Sequence, residues 1–511
     1  MQDNLSYRAA DNRYDAPDGF YRRCGRSGVL LPSVTLGLWK NFDLLTQVPR
    51  PSGHLEKVQK FLLDWAAEKG VEAFKDDAGN IIMRKPATPG MENRKPVTLQ
   101  GHMDMVPQKA KTSNHNFETD PIRTRIEGEW VYATDTTLGA DDGMAVATIM
   151  AIMEADNLKH GPIEGFITAD EETTMYGVNH MKAETLTGDI LLNLDEETDG
   201  KMVIGAAGGI NLTATLQYQE TPCETGDVAL KVTLHKLLGG HSGLEISLGR
   251  CNANKAMARL VQDAIANFEA RLSSWQGGNM RNAIPREAEV VLTLPKENVE
   301  AFKECVDEWR ETFTAEFGFI EKSLALDVEE VACPEHNVPE EIQDNLIDAL
   351  CACHNGVMRF IPENPGIVET SSNLAIVKIG GGKAEFLILV RSSRDTMREC
   401  CCEALESAFA MAGMKVELSG AYPAWQPNQK SEIVALMKDV YRDLFGVENE
   451  VNVVHAGLEC GIIGTFRPHM DLVSFGPTIR SPHTPNERVH IESVGRFWKF
   501  VTATLERIPE K

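Results

Sequence analysis

Four short apolar runs of this sequence end in histidine or carboxylate residues, and that repetition restricts the fold more than any other feature. The runs lead to His102, to Glu171 and Glu172, to Asp195 and, after a Gly-Pro turn, to His483. Apolar runs that alternate with helical segments are typical of a largely parallel sheet, and such sheets bind ligands at the carboxyl ends of their strands. A solvated acidic loop explains any one of these positions, but it explains the set poorly. We therefore expect a ligand site along one edge of a parallel sheet.

His102 and Asp104 stand two positions apart at the end of the first of these runs. Successive side chains of a strand point to opposite faces, so these two share a face, where the carboxylate can orient a metal-bound imidazole. A hydrogen-bonded pair without a metal is the alternative. Asp141 and Asp142 precede an Ala- and Met-rich helix, where a carboxylate either caps the helix or, held ionised by its dipole, bridges two cations.

Histidines and carboxylates without a thiolate suit one or two divalent ions, with zinc first and manganese or cobalt as alternatives. Two ions about 3.5–4 Å apart can share a hydroxide and clamp a carbonyl oxygen under attack. One adjacent carboxylate must then remain uncoordinated in order to accept the proton of the attacking water. In the pair Glu171 and Glu172, one carboxylate could bind metal while the other accepts this proton. Cys351 and Cys353 with His354 fall in a predicted helix without a second cysteine pair, so they are not favoured as a zinc site.

The composition restricts which binding partners and which cellular compartment are expected. A net charge of -24 argues against nucleic acid and against an anionic membrane as partners. The 11 cysteines are odd in number and clustered, which favours reduced thiols, and the N-terminus shows no apolar signal segment. We therefore predict a cytoplasmic protein.

The chain of 511 residues is long enough for several domains, and the pattern of strand-like and helical segments changes between residues 208 and 424. There, strands alternate with amphipathic helices at about twice the content of one β-α-β-β-α-β unit. We predict a flexible N-terminal extension over 1–33, a catalytic domain formed by 34–207 and 425–511, and a lid domain over 208–424 that contains two ferredoxin-like units in tandem.

Several motifs in order along the chain resemble those of the M20 metallopeptidases. They are Gly101-His-Met-Asp104, Leu138-Gly-Ala-Asp141-Asp-Gly, Asp170-Glu-Glu172, Asn193-Leu-Asp195-Glu-Glu, Gly239-Gly-His241-Ser-Gly243, Arg281-Asn-Ala-Ile-Pro-Arg286 and His455-Ala-Gly-Leu-Glu459-Cys-Gly. The resemblance extends from about residue 36 to the C-terminus. It implies an α/β catalytic domain of the zinc-exopeptidase type, interrupted by an α+β lid domain.

The resemblance also implies a site of two divalent metal ions. Asp141 would bridge the ions, His102 and Asp195 would complete one, and Glu172 and His483 would complete the other. Catalytic roles are implied for Glu171 as general base and Asp104 as the carboxylate that orients the histidine. Substrate contacts are implied for His241, Asn282, Arg391 and Glu459.

The function expected from this resemblance is hydrolysis of Xaa-His and related unblocked dipeptides, including β-alanyl-histidine, through a metal-bound hydroxide. The expected partner is a small dipeptide, without nucleic acid or membrane, and the expected assembly is a homodimer. One alternative is an M20-type deacylase that removes an acyl group from an amino acid. The other is a catalytically silent binding protein on the same fold.

Overall fold

The structure is a computed structural model that describes residues 21–24, 29–32, 36–362 and 364–511. The chain forms two compact units. Unit 1 contains the chain up to Ile204, Pro427–Asn452 and Ile462–Lys511, and unit 2 contains Gly205–Gln426 and Val453–Gly461. The predicted extension over 1–33 lies largely outside the described residues.

The N-terminal segment of unit 1 carries the first ten strands and five helices of the chain. The strands are β1 (Tyr21–Cys24), β2 (Val29–Pro32), β3 (Glu72–Lys75), β4 (Ile81–Lys85), β5 (Val97–His102), β6 (Thr124–Glu127), β7 (Trp130–Ala133), β8 (Ile163–Thr168), β9 (Ile190–Asn193) and β10 (Lys201–Ala206). The helices are α1 (Leu36–Thr46), α2 (Glu56–Lys69), α3 (Ala140–Glu154), α4 (Glu171–Thr174) and α5 (Tyr176–Asn179).

The middle of the chain supplies thirteen strands and four helices. The strands are β11 (Gly208–Gln217), β12 (Thr221–Pro222), β13 (Val228–His235), β14 (Gly240–His241), β15 (Arg271–Gly277), β16 (Ala283–Ile284), β17 (Ala288–Leu294), β18 (Ala325–Val331), β19 (His336–Asn337), β20 (Gly356–Ile361), β21 (Asn364–Gly380), β22 (Lys383–Ser392) and β23 (Lys415–Tyr422). The helices are α6 (Ala253–Phe268), α7 (Val299–Phe317), α8 (Glu340–Ala352) and α9 (Asp395–Met411).

The C-terminal part belongs to unit 1 except for Val453–Gly461, which belongs to unit 2. Its strands are β24 (Glu450–Val454), β25 (Asp471–Ser474), β26 (Ile479–Arg480) and β27 (Arg488–His490), and its helices are α10 (Glu432–Phe445), α11 (Glu459–Phe466) and α12 (Ile491–Arg507). No helix of the described chain is long and apolar enough to cross a membrane.

An eight-stranded sheet forms the centre of unit 1, in the order β24-β10-β25-β9-β5-β8-β4-β3. Its four central strands, β25, β9, β5 and β8, run parallel to one another. Every residue of β5 and β8 is buried, as expected of parallel strands that are covered on both faces. Because these four strands are the apolar runs identified in the sequence, their carboxyl ends meet at one edge of the sheet.

Helix α3 is apolar along almost its whole length, and the structure buries it from Ala140 to Met153. A helix that is hydrophobic on all sides belongs in a core. Helices α10 and α12 meet elsewhere in unit 1 through aromatic side chains, with the Tyr441 and Phe500 rings 5.1 Å apart. Phe475, just after β25, lies 5.6 Å from Phe497 in the same arrangement.

Unit 2 is built on a nine-stranded sheet in which two β-α-β-β-α-β units lie side by side. One unit has the sheet order β18-β13-β17-β15, and the other has β21-β22-β11-β23. With strands numbered in chain order within each unit, both units have the sheet order fourth, first, third, second, and neighbouring strands are antiparallel throughout. The prediction of two ferredoxin-like units therefore describes the sheet.

The order of these units along the chain differs from the tandem arrangement that we predicted. The unit from β13 to β18 is inserted between β11 and α8, so one unit is nested inside the other. Strand β15 pairs with β21 through Trp275–Gly277 and Val377–Ile379, which joins the two units into one sheet. Helices α6 to α9 cover one face, where Leu230 and Val232 of β13 lie in their common apolar core.

Candidate metal centre

The ends of strands β5, β8 and β9 deliver the first ligand candidates. His102 is the last residue of β5, and it is 1% exposed. Thr168, at the end of β8, is in register with His102, and Glu171 and Glu172 begin helix α4 three residues later. Asp195 follows the end of β9. The parallel register therefore places these side chains beside one another.

In two groups of side chains, the ligand atoms lie close enough to one another to hold a metal ion. Within each group, one ligand atom from every residue lies within 4.8 Å of the others. One group contains His102, Asp141 and Asp195, and the second contains Asp141, Glu172 and His483. A third, overlapping group contains His102, Glu171 and Glu172. The structure thus brings together all five metal ligands implied by the motifs, and Glu171 with them.

Asp141 is shared by the first two groups, and its two oxygens face different histidines. Its Oδ1 lies 3.1 Å from His102 Nε2, and its Oδ2 lies 3.0 Å from His483 Nε2. His102 Nε2 is 3.7 Å from Asp195 Oδ1, and His483 Nε2 is 3.0 Å from Glu172 Oε1.

These separations fit a metal ion in each group. Ligand atoms about 2.0–2.2 Å from a tetrahedral zinc lie about 3.4 Å from one another. The four nitrogen–oxygen distances, from 3.0 to 3.7 Å, scatter around that value. The nitrogen and oxygen donors are also those that zinc and its neighbours in the transition series accept.

The electrostatics of the cluster also fit a cation. Burial raises the pKa of Asp195, and the neighbouring Asp142 raises it further. Burial and then the charge of Asp141 likewise raise the pKa of Glu172. These carboxyl groups are crowded together away from water, and a divalent cation would offset their repulsion.

The pKa values of the two histidines are raised as well, which for an imidazole favours the charged form. Burial alone would lower the pKa of His102, but hydrogen bonds to Asp104 and Asp141 outweigh it and raise the pKa well above its usual value. Burial opposes the charged form of His483 too, yet hydrogen bonds to Asp141 and Glu172 raise its pKa to about 11. In the metal-free site each imidazole therefore favours a proton where a cation would sit.

Asp104 lies behind His102 and holds the start of helix α4. Its Oδ1 lies 3.4 Å from His102 Nδ1 and accepts the Glu171 N–H at 3.0 Å. Its Oδ2 accepts the Glu172 N–H at 3.2 Å and the Ser52 hydroxyl at 2.8 Å. A single buried carboxylate thus connects the histidine to the backbone of both glutamates.

The turn that precedes α4 and the turn that carries His483 use backbone conformations that are rare for residues other than glycine. Asp170 has φ 53° and His483 has φ 59°, both in the left-handed region. Such strain persists where the surrounding structure enforces it, and it concentrates at functional sites. The Gly53 N–H donates to Asp170 Oδ1, which fixes the first of these turns.

The residues predicted to contact substrate all lie in unit 2, and Glu459 is the first residue of helix α11. His241 and Asn282 are neighbours, because β14 pairs with β16 and the Ser242 N–H donates to the Asn282 carbonyl at 2.8 Å. Arg391 is 5% exposed and donates to the Tyr422 hydroxyl at 2.6 Å. His455 lies among them, since both Arg391 and His241 act on its charge.

Three buried charged residues beside the cluster were not among our predicted site residues. Asp142 was considered only as a cap or bridge; its Oδ2 accepts the His102 N–H at 3.2 Å. Arg50 and Glu487 were not singled out at all. Arg50 stands between two prolines, and Glu487 follows His483 by four residues, so proximity in sequence to a ligand was the available signal for Glu487.

Residues 98–507 match the model of peptidase family M20/M25/M40. The chain belongs to this family. The family resemblance noted in the sequence and the α/β fold that it implied are therefore confirmed.

Two relatives of this M20 chain are similar over nearly their whole length. The chain is 42% identical to the cytosol non-specific dipeptidase of Escherichia coli (strain K12), over 93% of this chain and 98% of the relative. It is 43% identical to the aminoacylhistidine dipeptidase from Vibrio alginolyticus, whose crystal structure matches with a TM-score of 0.81 and coverage of 94% and 99%. Aminopeptidase PepT from Bacillus cereus shares the fold, at 16% identity, a TM-score of 0.53 and coverage of 92% and 98%.

Proposed function

We propose that this M20 chain is a metal-dependent dipeptidase that hydrolyses Xaa-His, including β-alanyl-histidine, and related unblocked dipeptides. The observation that carries the proposal is 42% identity to a dipeptidase across 93% of the chain, in a sequence that retains every ligand candidate. A catalytically silent protein on this fold would be expected to lack a ligand or the general base. Neither is missing here.

We assign two divalent metal ions to the centre, with zinc as the first choice and manganese or cobalt as alternatives. His102, Asp141 and Asp195 would hold one ion, and Asp141, Glu172 and His483 the other. The division of the Asp141 oxygens between the two histidines supports a bridging role for this carboxylate. Bound there, the ions would polarise the scissile carbonyl and lower the pKa of water.

Glu171 is proposed as the general base. It begins helix α4, its backbone is fixed by Asp104, and its carboxylate can lie within 4.8 Å of His102 and Glu172 ligand atoms. Its carboxylate would accept the proton of the attacking water and pass it to the leaving amine. Asp104 would keep the His102 imidazole in the orientation that presents Nε2 to the centre.

His241 and Arg391 are the best supported of the proposed substrate contacts. His241 Nδ1 accepts the N–H groups of Gly243 and Leu244 at 3.1 and 3.0 Å, so the ring proton is assigned to Nε2, which can donate to a carbonyl oxygen. The buried Nε of Arg391 has no hydrogen-bond partner among the described residues, and a guanidinium suits the free carboxylate of a dipeptide. Asn282 and Glu459 are assigned by resemblance, Glu459 to the substrate amine.

The test is hydrolysis of β-alanyl-histidine beside N-acetylhistidine by chelator-stripped protein, with and without added zinc or manganese. Metal-dependent release of histidine from the dipeptide alone is the expected result. Cleavage of the acyl compound alone would identify a deacylase instead. Inactivity on both compounds with metal bound would overturn the proposal in favour of a binding protein. The cytoplasmic location and the homodimer remain predictions, which fractionation and sedimentation of the full chain would check.

A further inference from the structure

Arg50 and Glu487 are buried side chains of opposite charge that contact the loops carrying the metal ligands. Each is 2% exposed, and both belong to unit 1. Neither supplies an atom to the candidate ligand groups. Their hydrogen bonds go instead to the backbone on either side of those groups.

Glu487 binds four consecutive backbone N–H groups at the start of helix α3. Its Oε2 accepts from Leu138 at 2.7 Å and from Gly139 at 3.0 Å. Its Oε1 accepts from Ala140 at 2.7 Å and from Asp141 at 3.3 Å. A helix N-terminus favours an anion in this position. Since Glu487 also lies four residues after His483, this carboxylate connects the turn of one ligand to the backbone of another.

Arg50 connects the same helix start to the end of strand β5. Its Nη1 donates to the Met103 carbonyl at 3.0 Å and to the Asp104 carbonyl at 3.1 Å. Its Nη2 donates to the Gly139 carbonyl. The planar guanidinium thus binds the loop that follows His102 with one nitrogen and the loop that precedes Asp141 with the other.

The space around this guanidinium is closed by glycines. A Cβ atom at Gly139 would lie 2.6 Å from Arg50 Nη2, and one at Gly143 would lie 2.5 Å from the same atom. Gly139 also has φ +67°, which other residues adopt rarely. The backbone can approach the arginine only because neither position carries a side chain.

Burial of two opposite charges is a poor way to stabilise a fold, because their desolvation consumes most of their attraction. Burial lowers the pKa of Arg50, while Glu487 is the largest of the charges that raise it. The pair is therefore better explained by the geometry that it enforces than by stability alone.

We propose that Arg50 and Glu487 are positioning residues that fix the loop before α3 against the end of β5, and thereby set the spacing of His102, Asp141 and His483. The inference rests on the proposed metal-dependent function. A metal site tolerates displacements of about 0.5 Å in its ligands. Residues that orient ligands from behind are typically worth about 10–100-fold in metal affinity.

The test compares Arg50→Lys and Glu487→Gln with two matched controls in the same unit. Lysine has one nitrogen and cannot bind both loops, and glutamine has one acceptor oxygen for the four amides. Arg467→Lys is the control for the arginine, because Arg467 also binds backbone carbonyls, those of Ala183, Leu186 and Gly188. Glu164→Gln is the control for the carboxylate, because Glu164 is 3% exposed and accepts the Thr187 N–H at 3.0 Å.

Zinc affinity is measured by competition with a chromophoric chelator, the visible spectrum of the cobalt-substituted protein reports ligand geometry, and thermal unfolding of the metal-free protein reports stability. We expect the Arg50 and Glu487 variants to bind zinc about 10–100-fold more weakly and to shift the cobalt spectrum. The controls should lose stability without either change. A merely structural role would give all four variants the pattern of the controls.

Wild-type zinc affinity and an unchanged cobalt spectrum in both Arg50→Lys and Glu487→Gln would overturn the inference while leaving the proposed function intact. Metal binding by the wild-type chain without dipeptide cleavage would overturn the proposed substrate while leaving the positioning roles intact. A wild-type chain that binds no zinc would overturn both.

Discussion

Asp104→Asn is the substitution that most directly tests how the metal centre is held. The change keeps the shape of the side chain and removes its charge and one acceptor oxygen. The carboxylate accepts the Glu171 N–H at 3.0 Å with one oxygen and the Glu172 N–H at 3.2 Å with the other. Whichever oxygen becomes an NH2 group, a donor will face a donor.

The magnitude follows from these contacts. A partly buried N–H without an acceptor costs about 1–3 kcal/mol, so the metal-free variant should lose about that much free energy of unfolding. The variant also loses the negative charge that faces His102 Nδ1 at 3.4 Å. In the wild-type protein this charge raises the basicity of the imidazole ring. Loss of such a partner weakens metal binding by about 10–100-fold, which corresponds to about 1.4–2.7 kcal/mol.

Isothermal titration with zinc and denaturant unfolding of the metal-free protein measure the two effects separately. Ser52→Ala is the control, because it removes the 2.8 Å hydrogen bond to Asp104 Oδ2 and leaves the carboxylate charged. We expect the control to lose about 1 kcal/mol of unfolding free energy and to bind zinc with nearly unchanged affinity. Zinc binding by Asp104→Asn at the wild-type affinity would refute the orienting role of this carboxylate.

Three further predictions concern the base, a terminal ligand and a buried histidine. Glu171→Gln should keep its metal and lose about 10²–10⁴-fold in turnover, whereas Glu172→Gln, one residue later, should lose metal. Metal analysis together with dipeptide assays separates these two variants. Metal loss in Glu171→Gln would contradict the role of Glu171 as general base. His483→Ala should lower metal content because it removes a ligand, and the exposed His180→Ala should not; equal metal content would exclude His483. Burial, then the charges of Arg391 and His241, lowers the pKa of His455 from 6.5 to about 3. As the pH drops, His455 therefore takes up its proton in the unfolded chain before it does so in the folded chain. The free energy of unfolding should fall by about 1.4 kcal/mol per pH unit as the pH drops from about 6.5 towards 3. His455→Gln should flatten this slope between pH 7 and 5 in denaturant unfolding, and an unchanged slope would contradict it.

The sequence was most informative where chemistry coincides with the end of a strand. Strands β5, β8 and β9 are short, apolar and fully buried, and β25 is short and partly buried, so their boundaries could be predicted to within one or two residues. Because they are parallel neighbours, the residues at and after their ends had to meet, as His102 meets Asp195 in one group and Glu171 and Glu172 in another.

Contacts made by side chains to backbone are harder to predict. Glu487 binds four amide groups about 350 residues earlier in the chain, and apart from its place four residues after His483, nothing in the sequence around it distinguishes it from a surface glutamate. Arg50 likewise binds carbonyl groups of two distant loops. Backbone amides and carbonyls exist at every position, so such contacts leave no pattern of residue types.

Unit 2 shows a second limit, because strands β15 and β21 are not predictable from the sequence pattern. Strand β15 has polar residues at Ser273 and Ser274, with a register shift after Leu272, so it lacks a clean alternation of polar and apolar residues. Strand β21 contains the buried polar run from Glu369 to Asn373. A run of polar residues in a sequence predicts a loop and not a buried strand.

These two strands occupy the same position, the second strand, in their respective β-α-β-β-α-β units, and each would otherwise be an edge of its sheet. An edge strand exposes unpaired N–H and C=O groups, which invite association with other chains. Pairing Trp275–Gly277 with Val377–Ile379 covers both edges at once, and β20 pairs with the remaining part of β21. Because neighbouring backbone satisfies the polar groups of these strands, their sequences do not need the strong apolar alternation of an isolated strand. The doubled sheet therefore accounts for the weak sequence signal of β15 and β21.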